Sequence, residues 1–246
     1  MARVDFPEAA LAWLTAGADG AVLAVSASAG VPKLLANAGH EVVALVRDVQ
    51  RAQRLTYVNR ITPVVARPEA LPFASHHFGL VVAHQVFSTW APGLALPEMA
   101  RVLRAGGVLA ASYFARDDSV PWVRRLIALM QSIDADAMPP APGEAAFAEL
   151  ASSKYFRSAA TQAFRIWIPI SRQGMLDMVA GETSVAGLDE AGRARLLDGV
   201  AEIYDGAARA AQLRLPYELR CWRGTVNHLE LTQPVRLRED GLSITF

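Results

Sequence analysis

Ser26 and Ser28 stand two residues apart and close on Gly30, directly after the apolar run Val22–Val25. A pair of hydroxyls on a turn between strand and helix invites two kinds of chemistry. One is nucleophilic, because Ser26-x-Ser28-x-Gly30 is one substitution from the G-x-S-x-G elbow that presents a hydrolase serine above a sheet. Such an elbow normally follows several strands, whereas here one precedes it. His228 with Asp205 or Asp240 would have to complete the triad, and nothing in the sequence positions them. The other chemistry is ligand cradling, in which a glycine-bearing turn lets the backbone approach a bound molecule.

Few other residues have chemistry-bearing spacing. His76 and His77 are adjacent in "ASHHFG", so their side chains point apart, and no third ligand has helpful spacing; a surface turn is expected. His84 and Gln85 end an apolar run and would face the mouth of a sheet, where such folds bind ligands. Cys221 is the single cysteine, which excludes an internal disulfide and points to a buried structural thiol. Trp122 and Trp167 read as core or lid packing.

The elements that must position these residues alternate through the front half. "AVLAVSA", "HEVVALV", "ITPVVA", "FGLVVAHQVF" and "VLAASYF" are short apolar runs suited to buried strands. Between them, "VPKLLANAG", "RDVQRAQRLTYV" and "GLALPEMARVLRAGG" read as helices, after a first helix in "AALAWLTAG". Strand and helix at this pace predict right-handed parallel crossovers and a doubly wound, Rossmann-like α/β sheet. In the back half, "VPWVRRLIALMQSI", "RQGMLDMVAG" and "DEAGRARLLDGVAEIYDGAARAA" read as helices and "AMPPAPGEAAF" as a break. "FRIWIPI" and "LRLPYELRCWRGTV" read as strands, and "NHLELTQPVRLREDGLSITF" as one or two more around Asp240-Gly241. The expected organisation is one domain over 1–223, with a C-terminal strand extension over 224–246 packed on it.

The 246 residues carry 24 basic and 24 acidic side chains, so no net charge favours nucleic acid or an anionic membrane. No run approaches the ~20 apolar residues of a membrane span, and the N-terminus lacks the apolar core of a signal peptide. A cytoplasmic location is the expectation. The partner is an unknown small molecule or protein, and the extension suggests a homodimer through an unpaired strand edge.

The block "EALPFASHHFGLVVAHQVFSTWAPGLALPEMARVLRAGGVLAASYF" resembles the class I S-adenosylmethionine-dependent methyltransferases, in their actinobacterial type-11 branch. Glu98, Arg101, Val102, Leu103, Arg104, Gly106 and Gly107 match the motif E-x-x-R-V-L-R-x-G-G. "RDDSVPWVRRL" and "LPYELRCWR" also look like that branch, so the resemblance runs over residues 7–223. It implies a sheet of about seven strands in the order 3-2-1-4-5-7-6, the last antiparallel. It further implies a cofactor site built from an acidic residue and glycines after the first strand, a carboxylate ending the second, and an acidic residue before "EALPF".

Position by position, the chain departs from that site. The family's first motif falls on Val22–Gly30, with Ala24 at the acidic position and Ser26 and Ser28 at two of the three glycines. Val46, followed by Arg47, ends the second strand, and Arg67 stands before Glu69. Losing three hydrogen-bonding carboxylates at about 1–3 kcal/mol each would cost on the order of 5 kcal/mol, or several thousandfold in affinity. The expectation drawn is a degenerate homologue without a cofactor, retained for binding or interaction. Its crevice would be formed by Ser26, Ser28, Gly30, Val46, Arg47, Arg67, Glu69, His84 and Gln85. The alternative is an active methyltransferase on a small molecule, with S-adenosylmethionine held by Asp48 or Glu69 in place of the missing carboxylates. A third possibility weighs "AGHEVVALVRDVQRAQRL", which resembles a strand of NADPH-binding short-chain reductases with Arg47 toward the 2′-phosphate; the glycine turn and Tyr-x-x-x-Lys pair of that family are missing.

Overall fold

The computed structural model describes residues 6–141, 143–208 and 212–232. Seven strands form one mixed sheet in the order β3-β2-β1-β4-β5-β7-β6, the order that the resemblance implied. The strands are β1 (Val22–Ser26), β2 (Val42–Val46), β3 (Ile61–Val65), β4 (Phe78–His84), β5 (Leu103–Arg116), β6 (Phe156–Ile170) and β7 (Leu213–Val226). The helices are α1 (Glu8–Thr15), α2 (Gly30–Asn37), α3 (Val49–Leu55), α4 (Pro92–Val102), α5 (Pro121–Gln131), α6 (Gly143–Ser152), α7 (Arg172–Ala180), α8 (Glu190–Ala208) and α9 (Leu229–Thr232). β1 pairs in parallel with β2 and β4, and β2 with β3. That register sets Ser26 level with His84 and Val46 level with Val65, so the ends of these four strands share one edge of the sheet.

Local chemistry explains these elements. Every residue of β4 is buried, as a central strand covered on both faces requires. β3 is the edge strand and tolerates Pro63, which cannot donate to a ladder. α2 takes Pro32 in its first turn and ends at Gly39, which adopts φ 96°. α3 starts on Asp48, whose carboxylate accepts from the Arg51 N–H at 2.8 Å.

The described residues group into two compact units. One comprises Thr15–Ala111, Ala148–Ala160 and the chain from Arg223, and it holds β1–β4. The other comprises Ser112–Phe147, Thr161–Trp222 and the chain up to Leu14. Its core is made by α5, α7 and α8, through Leu126, Met130, Met175, Val179, Leu196 and Val200. There the Tyr204 hydroxyl donates to the Ile170 carbonyl at 3.1 Å, which satisfies a phenol buried in an apolar core.

Four stretches differ from the sequence expectation. α4 stops at Val102 because Leu103 is already extended, so "LRAGG" belongs to β5. Residues read as a break form α6, whose buried Ala146 and Leu150 lie one turn apart. β6 is 15 residues long, not the seven of "FRIWIPI", and is mostly exposed. That exposure removed the apolar alternation by which a strand is recognised. Trp167 on this strand is 46% exposed, so it is not core packing. β7 coincides with the strand expected in "LRLPYELRCWRGTV", whereas residues 229–232, expected to be extended, are helical. The expected strands around Asp240-Gly241, and the dimer contact through them, lie outside the described residues.

Gly79 in β4 is fixed by close approach. A Cβ there would collide with the Asp19 carbonyl oxygen, which is backbone and cannot swing aside as the neighbouring Arg104 side chain can. Gly79→Ala is therefore expected to destabilise the chain by about 1–3 kcal/mol. Thermal unfolding should show this as a melting point lower by roughly 2–4 °C per kcal/mol. An unchanged melting point would mean that β4 does not sit this close to Asp19.

Candidate functional site

The carboxyl ends of β1, β2 and β3 open into two neighbouring hollows, both within the unit that holds these strands. This is the edge at which open α/β sheets bind ligands. The larger hollow, of 930 Å³, is lined by Arg47, Val65–Glu69, Thr89, Trp90, Ala91 and Leu94. The smaller, of 290 Å³, is lined by the turn Ser26–Ala29 together with Pro32, Leu45, Val46, Arg51, Arg54 and Leu55.

The turn after β1 keeps its shape with hydroxyls instead of glycines. Ser26 Oγ accepts from the Ser28 N–H at 3.3 Å, and Ser28 Oγ accepts from the Gly30 N–H at 3.4 Å. Both bonds are long and exposed, so they satisfy the orphan donors at the start of α2 only weakly. Arg51 adds a bond to the Ala27 carbonyl at 3.3 Å. The serines thus cap their own loop and leave the hollow beside it open.

In the larger hollow, Arg47 donates to the Thr89 hydroxyl at 2.8 Å, and that hydroxyl donates to the Val86 carbonyl at 2.7 Å. Glu69 accepts from the Ala91 N–H at 3.2 Å through one carboxylate oxygen. Arg67 is exposed on a tight turn closed by the Ala70 N–H on its own carbonyl. Trp90 is 8% exposed, and its indole N–H is buried with no acceptor among the described residues. A buried donor without an acceptor costs on the order of 1–3 kcal/mol.

A bidentate ion pair holds this wall in place. Glu98 accepts from Arg101 at 2.7 Å and 2.9 Å, and Arg101 donates onward to the carbonyls of Phe73 at 2.8 Å and Leu71 at 3.0 Å. Glu98 also accepts from the Leu71 N–H at 2.8 Å. α4 is thereby stitched to residues 71–73, immediately after the cleft residues 65–69. The bonds from Arg101 and Leu71 hold the Glu98 carboxyl below its usual range, and Glu98 in turn raises Arg101.

Other residues singled out in the sequence separate from the cleft. His84 is buried at the end of β4, while Gln85 is exposed and takes φ 54°; neither lines the hollows. A non-glycine residue in that conformation at a strand end stores strain of order 1 kcal/mol or more, a frequent mark of functional edges. Asp48 is committed to capping α3 and to an ion pair with Arg51 at 3.4 Å, so it does not stand in for a missing carboxylate. Gly30 begins α2 and lines neither hollow. His228 Nε2 is held by the carbonyls of Ala100 and Leu103 at 3.1 and 2.9 Å, and its ring meets that of His76 edge-on at 4.4 Å. Asp205 pairs with Arg172 at 3.0 Å, so a triad on Ser26 does not assemble from these two residues. No group of three His, Cys, Asp or Glu among the described residues is arranged to hold a metal ion. Cys221 is buried, and burial pushes its thiol up to about 12. No helix among the described residues is long and apolar enough to cross a membrane.

Residues 17–111 match the family model described as a methyltransferase domain. The chain is 26% identical over 233 residues to an uncharacterized methyltransferase of Mycobacterium tuberculosis, covering 91% of this chain and 90% of the relative. It is 29% identical over 137 residues to an uncharacterized methyltransferase of Schizosaccharomyces pombe, covering 53% and 55%. Among solved structures, a candidate type II methyltransferase from Anaeromyxobacter dehalogenans superposes with a TM-score of 0.64 at 19% identity, covering 92% of this chain and 98% of that one. A candidate methyltransferase from an antibiotic biosynthesis pathway of Anabaena variabilis gives 0.56 at 16%, covering 89% and 96%. These likenesses share the fold. The match over residues 17–111 also corrects the expectation that no cofactor is used, because it spans Ala24, Val46 and Arg67, the three positions on which that expectation rested.

The residues of the larger hollow fit an adenosyl-sized group in two respects. The space is ample for a small ligand, and Glu69 keeps one carboxylate oxygen for a ligand donor. Thr89 and Trp90 were not among the crevice residues expected from the sequence, because "STW" after an apolar run gives no signal by itself.

The Glu98–Arg101 pair makes a pH prediction. A carboxyl depressed by folding stabilises above its ordinary value, near 4.5, and this contribution is lost as pH falls through the lower folded value. Glu98→Gln should lose about 1–3 kcal/mol at neutral pH, and its deficit against the native chain should shrink as the pH falls below the carboxylate range. Urea unfolding across a pH series reads this; a deficit that stays constant with pH would deny the pair its ionic role.

Proposed function

We propose, from the premise that this chain is over residues 17–111 a member of the class I S-adenosylmethionine-dependent methyltransferase family, that it binds S-adenosylmethionine through an atypical crevice and methylates a small molecule. The observation that carries this reading is the open hollow at the ends of β2 and β3, in which Glu69 keeps one carboxylate oxygen free of any protein donor among the described residues.

When bound, S-adenosylmethionine supplies a methyl group on a positively charged sulfur, ready for a nucleophile held in line. The chain's part is to bind, orient and exclude water, which requires no acid or base of its own. The Trp90 ring would line the seat of the adenosyl group, and Glu69 would accept from that group's hydroxyl or amino donors. Thr89 holds the Arg47 guanidinium against the wall through a hydrogen bond. The turn Ser26–Gly30 stays closed on its own hydroxyls, so the ligand's polar end meets serine oxygens where the family presents glycine backbone. Two guanidiniums beside a single carboxylate make this crevice less favourable to a cation than the family pattern. Affinity weaker than that of a crevice with all three carboxylates is the expected consequence.

Calorimetry with S-adenosylhomocysteine and S-adenosylmethionine tests the reading directly. Binding in the micromolar range is expected for both, weakened about tenfold by Glu69→Gln. No heat at millimolar ligand would overturn it. Binding indifferent to Glu69→Gln would remove the role given to that carboxylate.

A further inference from the structure

A separate cavity of 240 Å³ lies wholly within the other unit, among the ends of β5 and α7, the start of β7 and helix α5. Seven of its ten lining residues are apolar, Trp122, Leu126, Met178 and Leu215 among them. Three polar side chains also line it, Arg116, Glu182 and Tyr217.

Those three are not equivalent. Arg116 is already spent, since it binds Asp118 through Nε at 2.5 Å and Nη2 at 3.2 Å, and the Met138 carbonyl through Nη2 at 2.9 Å. Its charge is balanced by Asp118, and its bond to the carbonyl holds Met138, a cavity residue at φ 51°, in a conformation that a side chain rarely adopts. Glu182, by contrast, is exposed and pairs with no cation among the described residues. Tyr217 is half-buried, and its hydroxyl has no hydrogen-bond partner among the described residues. Burial raises its pKa; Arg116 opposes that rise, and Glu182 and Asp118 add to it. The phenol therefore stays protonated at neutral pH, beside two carboxylates and one already paired guanidinium. An anion entering here would meet an uncompensated carboxylate; a cation would meet that carboxylate and two aromatic rings.

We propose that this cavity is a binding site for a compact, largely apolar amine, with its hydrocarbon body against Trp122, Met178 and Leu215 and its ammonium group directed to Glu182 and the Tyr217 hydroxyl. The inference is independent of the cofactor reading, because none of these residues lies in the methyltransferase-matching segment 17–111.

Three probes of matched size and different charge test it on the full-length chain: 2-phenylethylamine, 2-phenylethanol and 3-phenylpropanoate, titrated by calorimetry without cofactor. The amine is expected to bind about fivefold more tightly than the neutral alcohol, the gain of one rim ion pair, and the carboxylate most weakly. Glu182→Gln, a surface change that leaves the core intact, should erase the preference for the amine while retaining alcohol binding. Tyr217→Phe should weaken both. Equal affinity for all three probes, a preference for the carboxylate, a preference that survives Glu182→Gln, or no binding at millimolar probe would each overturn the proposal. Binding of S-adenosylhomocysteine should be unchanged in both variants, so failure here and failure of the cofactor reading are told apart.

Discussion

The bidentate pair between Glu98 and Arg101 is the contact on which the cleft depends. It lies in α4, yet its remaining bonds go to backbone at Leu71 and Phe73, so a helix and a loop distant in sequence become one wall. A loop connecting β3 to β4 would otherwise pay conformational entropy to stay ordered at the sheet's edge. Both side chains are partly withdrawn from water, and each bond is charge-assisted, the regime in which ion pairs and their backbone acceptors contribute substantially. Residues 65–69, which line the larger hollow, leave that stitched segment directly.

This scaffold explains how the crevice can persist while its polar lining changes. The strand register that puts Ser26, Val46, Val65 and His84 at a common edge is set by parallel pairing of buried strands, and does not depend on what those terminal residues carry. Replacing an acidic residue by Ala24 inside β1 costs the fold nothing, because a buried position there favours an apolar side chain. Replacing glycines by Ser26 and Ser28 is absorbed by hydroxyls that bond their own loop. The lining thus sets guanidiniums beside one carboxylate, on a frame held by strand pairing.

The second cavity follows a different logic. It is bounded by helix α5 and the edges of β5 and β7, in a unit whose core is made by helices packing on one another. Its polar groups are set apart by partnership: Arg116 is neutralised and anchors a strained loop, while Glu182 and Tyr217 keep their hydrogen-bonding capacity. Partnership of this kind, more than composition, distinguishes structural charges from charges available to a ligand.

By itself the sequence determined the doubly wound sheet. Buried parallel strands must be short apolar runs, and "AVLAVSA" and "FGLVVAHQVF" cannot be buried otherwise. The motifs around Glu69 and Glu98 carried the resemblance, although their spacing said nothing of why they occur together; the Arg101 bonds to the loop supply that reason only in three dimensions. Periodicity missed the length of β6, because a strand exposed over most of its length carries no apolar alternation to read, and α6 was masked by the Pro- and Gly-bearing stretch that leads into it. The sequence also showed which carboxylates were gone, and from that subtraction came the expectation of a chain without cofactor. Tertiary structure decided what remained: Asp48 is consumed by a helix cap, Glu69 stays at the wall, and the Trp90 N–H is buried without an acceptor. Hydrogen-bond satisfaction is a property of neighbours brought together by folding, and no single stretch of chain encodes it.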